Sequence, residues 1–99
     1  MYGLIGRMLA APGKREELLA ILLEDNQAMP GCLSYVVARD PASDDGIWVT
    51  EVWDSPASHQ ASLQLPQVQA MIGRARPIMA GFGERFETEP LGGIGLSLV

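Results

Sequence analysis

Apolar and polar residues change their period several times along the chain, and each change marks an element. Residues 2–11, YGLIGRMLAA, have the length of a strand and stop at the breaker APGK. Residues 14–29 switch to helical spacing: Leu18, Ile21 and Leu22 share a face, with Leu19 and Leu23 beside it. Glu16 and Glu17 fall in the first turn, where the helix dipole favours negative charge. Pro30 disfavours helical backbone at Met29, and Gly31 permits a turn. CLSYVVAR (32–39) and IWVTEVW (47–53) are rich in β-branched and aromatic residues. They read as two strands of a hairpin across the polar segment DPASDDG (40–46).

Asp54 or Ser55 then caps a short helix that has Pro56 at or near its first position. Val68, Met71, Ile72, Ala75, Ile78, Met79 and Phe82 recur at helical spacing, and Pro77 ends or kinks that second helical piece. GERFETEP (83–90) alternates Phe86 with charges and reads as a last, more exposed strand, followed by the tail LGGIGLSLV (91–99). The order is β-α-β-β-α-β with a split second helix. That is the ferredoxin-like plan of the α+β class: an antiparallel sheet with helices on one face, here a single domain over residues 1–99.

Strand side chains alternate between faces. Cys32, Ser34, Val36 and Ala38 oppose Leu33, Tyr35, Val37 and Arg39, while Ile47, Val49, Glu51 and Trp53 oppose Trp48, Thr50 and Val52. Both faces are largely apolar, yet two helices cover only one. Leaving several such side chains in water costs several kcal/mol at about 25 cal/mol per Å², against a domain stability of about 5–15 kcal/mol. A second copy of the sheet is the simplest cover, so a homodimer is expected, with the apolar tail 91–99 reaching across to the partner.

Charge and composition narrow the partners. The chain has 99 residues and a net charge of −5, and its seven basic residues are scattered rather than striped. Nucleic-acid binding and attachment to an anionic membrane surface are therefore not expected. No apolar run is long enough to span a bilayer, and the first residues, with Arg7 in their middle, lack the form of a signal peptide. One cysteine, Cys32, forms no intrachain disulfide, and a cytoplasmic location fits. There is no glycine-rich phosphate loop, no nucleophile elbow and no histidine/cysteine spacing for zinc.

The stretches MPGCLSYVV, IWVTEVWDSPASHQASLQLPQVQAMI and RPIMAGFGERFE resemble the antibiotic biosynthesis monooxygenase family over about residues 2–90. The most specific elements are the PGC after the first helix, the E-x-W ending the third strand and the L-x-x-P-x-V entering the last helix. The resemblance implies a dimeric α+β barrel acting on a small aromatic substrate with molecular oxygen, in several members with no cofactor and no metal. Against the haem-degrading branch, the aligned positions hold Gly6, Ser62 and Ile72 in place of asparagine, tryptophan and histidine, so haem breakdown is not expected. In the quinol monooxygenase branch the histidines of this region align with Ser62 and Gln67.

Oxygenation without a cofactor needs a phenol or hydroquinone that, once deprotonated, gives an electron to O₂. The protein then supplies a base and a mostly apolar cavity. His59, the lone histidine, is the expected base. Trp53 and Tyr35 are expected to shape the site, with Asn26 as a further polar contact. Trp48 and Trp53 lie on opposite faces, and alternation does not say which face meets the helices. Glu51 sits on an exposed patch, pairs with an arginine such as Arg7 or Arg39, or lines a polar pocket; pairing is the preferred reading. Two other readings share the fold: a non-catalytic ligand-binding or stress-associated barrel, and a non-oxidative isomerase or cyclase.

Overall fold

In the computed structural model, which describes residues 1–24 and 29–96, the chain runs β1 (Tyr2–Ala10), α1 (Arg15–Glu24), β2 (Cys32–Arg39), β3 (Gly46–Trp53), α2 (Pro56–Ser62), α3 (Pro66–Ala75), a 3₁₀ turn (Arg76–Ile78) and β4 (Met79–Thr88). The four strands form one sheet in the order β2-β3-β1-β4, every neighbouring pair antiparallel. This is the ferredoxin-like α+β arrangement expected from the sequence. No helix among the described residues is long and apolar enough to cross a membrane.

The core forms where α1 and α3 meet the sheet. Leu18, Leu19 and Leu22 of α1 pack with Ala10, Ile47, Val49 and Ala75, all buried. The helix-facing side of β3 is therefore the side of Ile47, Val49, Glu51 and Trp53. Register carries this side across the sheet, since Glu51 stands opposite Leu4 of β1 and Tyr35 of β2. The other side carries Ile5, Val36, Trp48, Val52 and Phe86, where Val36 and Phe86 remain 54% and 52% exposed.

Two elements depart from the sequence pattern. Met79 and Phe82, read at helical spacing, belong to β4 instead: Ala10 pairs with Met79 and Met8 with Phe82. Pro77 stands in the 3₁₀ turn that ends α3, and the strand follows at once. Register shifts along the β1–β4 pairing space its apolar residues irregularly, which imitates a helical period. In β2 a register shift between Cys32 and Ser34 turns Cys32 to the side of Tyr35, because Cys32 pairs with Trp53 and Tyr35 with Glu51. Strict alternation had placed these two side chains on opposite faces.

Polar groups fix the β2–β3 hairpin at the end of β3 away from Trp53. Buried Asp40 accepts from Arg7 Nε and from the Ala42 amide, each at 2.9 Å. These two bonds, the backbone one first, hold its carboxyl below the usual range. Arg15 donates to the carbonyls of Asp40 and Ser43.

The other end depends on Gly31. Its φ is +83°, a region costly for residues with a Cβ. A Cβ there would lie 2.6 Å from the Ser58 side chain and 2.7 Å from Asp54 Oδ1. Glycine thus lets the start of α2 lie directly against the turn before β2, and the Asp54 amide donates to the Gly31 carbonyl at 2.9 Å. Ser55, of the two residues expected, is the cap: its side chain accepts from the Ser58 amide, with Pro56 at the first helical position. Replacing Gly31 with alanine costs about 1–2 kcal/mol from the backbone conformation alone. At roughly 4–8 °C per kcal/mol for a domain this size, a melting point at least about 4 °C lower is expected by calorimetry. An unchanged Tm would show that α2 is not held by this contact.

Candidate active site

Between the helices and the lower half of the sheet lies a cavity of about 780 Å³. This is ample for a small organic ligand, since such sites span roughly 300–1,000 Å³. Its walls are mostly apolar. Of the chain's 5 methionines, Met8, Met29, Met71 and Met79 line it, which makes the wall pliable and polarizable. Cys32, Tyr35, Glu51 and His59 make a polar end around Trp53, and Ser34, Ser62, Gln67 and Arg76 add further polar groups to the lining.

Trp53 is the anchor. It is 1% exposed, one of the most deeply buried large side chains in the molecule. A buried indole N–H needs an acceptor. The nearest residue on the same strand face is Glu51, two positions earlier, and Trp53 Nε1 donates to Glu51 Oε1 at 3.1 Å. The expected arginine pairing of Glu51 is not what the structure contains. Arg7 is bound to Asp40 and lies 3.8 Å from Glu84, and Arg39 is bound to Glu16. Both arginines are held elsewhere, and the Glu51 carboxylate is kept in the cavity wall by the indole instead.

His59 comes from α2, which places its ring against two aromatics. The imidazole meets Trp53 edge-on with centroids 5.4 Å apart, and Tyr2 at 6.0 Å. Its Nδ1 is buried and has no hydrogen-bond partner among the described residues. Rings, rather than hydrogen bonds, therefore hold this side chain. The Ser62 hydroxyl donates to the His59 carbonyl, which ties the turn of helix that carries the imidazole.

Burial, then the charge of Glu51, then Cys32, push the Tyr35 phenol from its ordinary 10.0 up to about 12. Burial and Glu51 also push the Cys32 thiol up, which suits a packed thiol rather than a nucleophile. Among the described residues no group of three histidine, cysteine, aspartate or glutamate side chains is placed to hold a metal ion.

The structure thus brings His59, Trp53, Tyr35 and Glu51 to one cavity. Asn26, the remaining expected contact, lies outside the described residues. Tyr2 was not anticipated. Its place beside His59 follows from its pairing with Trp53 across β1 and β3, a long-range register that no local pattern displays.

A sequence profile described as antibiotic biosynthesis monooxygenase matches residues 1–74. The chain belongs to the antibiotic biosynthesis monooxygenase family. A candidate member from Chloroflexus aurantiacus J-10-fl is similar over its solved structure: 59% identity, 97% of this chain and 98% of that one, TM-score 0.91. One from Deinococcus radiodurans shares the fold at 23% identity, covering 95% and 96% of the two chains with a TM-score of 0.72. A protein from Pseudomonas aeruginosa does so at 21% identity, covering 92% and 94%, with a TM-score of 0.73. The curated proteins give no match.

The Tyr35 environment sets an alkaline limit on stability. A phenol raised by folding contributes stability that is complete below its unfolded pKa and is lost as pH rises through the folded one. Here that window runs from 10.0 to about 12. Tyr35→Phe is expected to shift the midpoint of alkaline unfolding upward, read by circular dichroism against pH. The same midpoint in both proteins would show that the phenol is not held neutral by folding.

Proposed function

We propose that this family member is a cofactor-independent monooxygenase acting on a small phenolic, quinol or polyketide-type aromatic substrate. The observation that carries the reading is that the lone histidine lines a large, mostly apolar cavity, against a buried tryptophan. The substrate itself supplies two electrons and two protons. One oxygen atom enters it as a carbonyl or hydroxyl and the other leaves as water. His59 takes the hydroxyl proton, which turns the bound phenol into an anion able to pass an electron to O₂. Trp53 and Tyr2 hold the imidazole in place, and the apolar wall excludes bulk water from the reduced-oxygen intermediate. Tyr35 and Glu51 orient the ring oxygens. The open cavity argues against the filled barrel that a purely structural protein would have.

The functional unit of this reading is a homodimer in the cytoplasm. The sheet face bearing Ile5, Trp48, Val52 and Phe86 supplies the apolar area for a second copy. In the tail, Leu91 and Ile94 are 87% and 109% exposed on their own protomer, and in this reading they pack on the partner.

Oxygen consumption on adding menadiol or an anthrone tests the chemistry. Wild-type protein is expected to accelerate uptake, and His59→Ala to reduce the rate by about a hundred-fold, within the range for loss of a general base. No protein-dependent uptake across such a panel, or an unaffected His59→Ala, removes the proposal. Sedimentation at micromolar concentration is expected to give twice the 10.7 kDa chain mass, and a folded monomer would refute the dimer.

A further inference from the structure

The polar end of the cavity is unevenly equipped with donors and acceptors. Glu51 brings a carboxylate, which only accepts hydrogen bonds. Trp53 Nε1 uses its Oε1. Among the described residues no second donor reaches the carboxylate, and no basic side chain lies within ion-pair distance of it. His59 Nδ1 is a further polar atom with no partner among these residues. The neighbouring donors are few, for the Cys32 thiol is turned onto the Ser34 carbonyl and the Ser62 hydroxyl onto that of His59.

A ligand that points an O–H at the free carboxylate oxygen gains a charge-assisted hydrogen bond. One that offers only an ether or carbonyl oxygen sets lone pairs against lone pairs and leaves a desolvated carboxylate oxygen unmet. Tyr35 stands directly opposite Glu51 in the sheet register, yet among the described residues only the Trp53 indole donates to the carboxylate.

We propose that Glu51 is the specificity-determining residue of the cavity: through the carboxylate oxygen that Trp53 leaves free it accepts an O–H of the ligand. The site thereby prefers hydroxylated aromatics over their ether and quinone counterparts. The inference rests on reading the cavity as an aromatic site, as in the function proposed above. For a quinol substrate it means that the reduced form is retained and the quinone product, which has fewer hydroxyl donors, is released.

Binding without turnover tests it. The intact chain is titrated calorimetrically under nitrogen with a naphthalenediol and with the dimethyl ether of the same diol. The wild-type protein is expected to bind the diol at least about ten-fold more tightly, the effect of one charge-assisted hydrogen bond. Glu51→Gln keeps an acceptor for the indole and turns an amide donor toward the ligand, so the preference is expected to fall to about three-fold or less. Glu84→Gln, which removes an exposed carboxylate outside the cavity, is expected to retain the wild-type preference. Equal affinities in the wild-type protein overturn the proposal, as does binding of neither ligand or a preference that survives in Glu51→Gln. A protein that prefers the diol yet consumes no oxygen refutes the oxygenase reading alone, and turnover without the preference refutes only the role of Glu51.

Discussion

One hydrogen bond, from the Trp53 indole to Glu51, sets the character of the site. A tryptophan 1% exposed cannot leave its N–H unmet, because an unsatisfied buried donor costs about 1–3 kcal/mol. A carboxylate beneath two helices is equally costly without a partner. Each residue answers the other's need, and the two-residue period of β3 puts them on the same face with no help from distant chain. The upper half of that face, Ile47 and Val49, is dry core, and the lower half is a polar and aromatic floor. The helices cover both halves but fill only the first.

The rest of the site is built outward from that floor. α2 must come down close enough to place His59 against the indole, and a side chain at position 31 would hold it off. Gly31, Ser55 and Pro56 then act together: the glycine permits the approach, and the cap and the proline start the helix at the right residue. The aromatic contacts of His59 follow from where the helix begins rather than from any attraction specific to histidine.

Much of this arrangement is legible in the sequence, and the limits have physical causes. Alternation separates Trp48 from Trp53 but carries no sign; the burial of Leu18, Leu19 and Leu22 decides which tryptophan meets the helices. The preferred arginine partner for Glu51 ignored the competition among acids for few bases, since Asp40 and Glu16 hold Arg7 and Arg39. The better signal was local, a carboxylate two residues before a tryptophan on one strand. The β4 boundary and the side of Cys32 were both hidden by register shifts, which break the period on which such reading depends. Tyr2 needed the pairing of the first strand with the third.

Family membership fixes the fold more firmly than the chemistry, and the departures at this site explain why. Ser62, Gln67 and Ile72, which align with histidines of related branches, all line the cavity here, so these positions carry no imidazole. The polar work falls instead to His59, one turn before Ser62 on α2, and to Tyr35 and the Glu51 carboxylate on the sheet. Burial first, and then that charge, works against a free phenolate, as the upward shift of Tyr35 attests. A bound phenol in this setting gives up its proton only to a base near enough for the resulting cation to offset Glu51. On the function proposed above that task falls to His59, which packs on the indole that Glu51 holds, and a proton passed from substrate to this side chain leaves the net charge of the cavity unchanged.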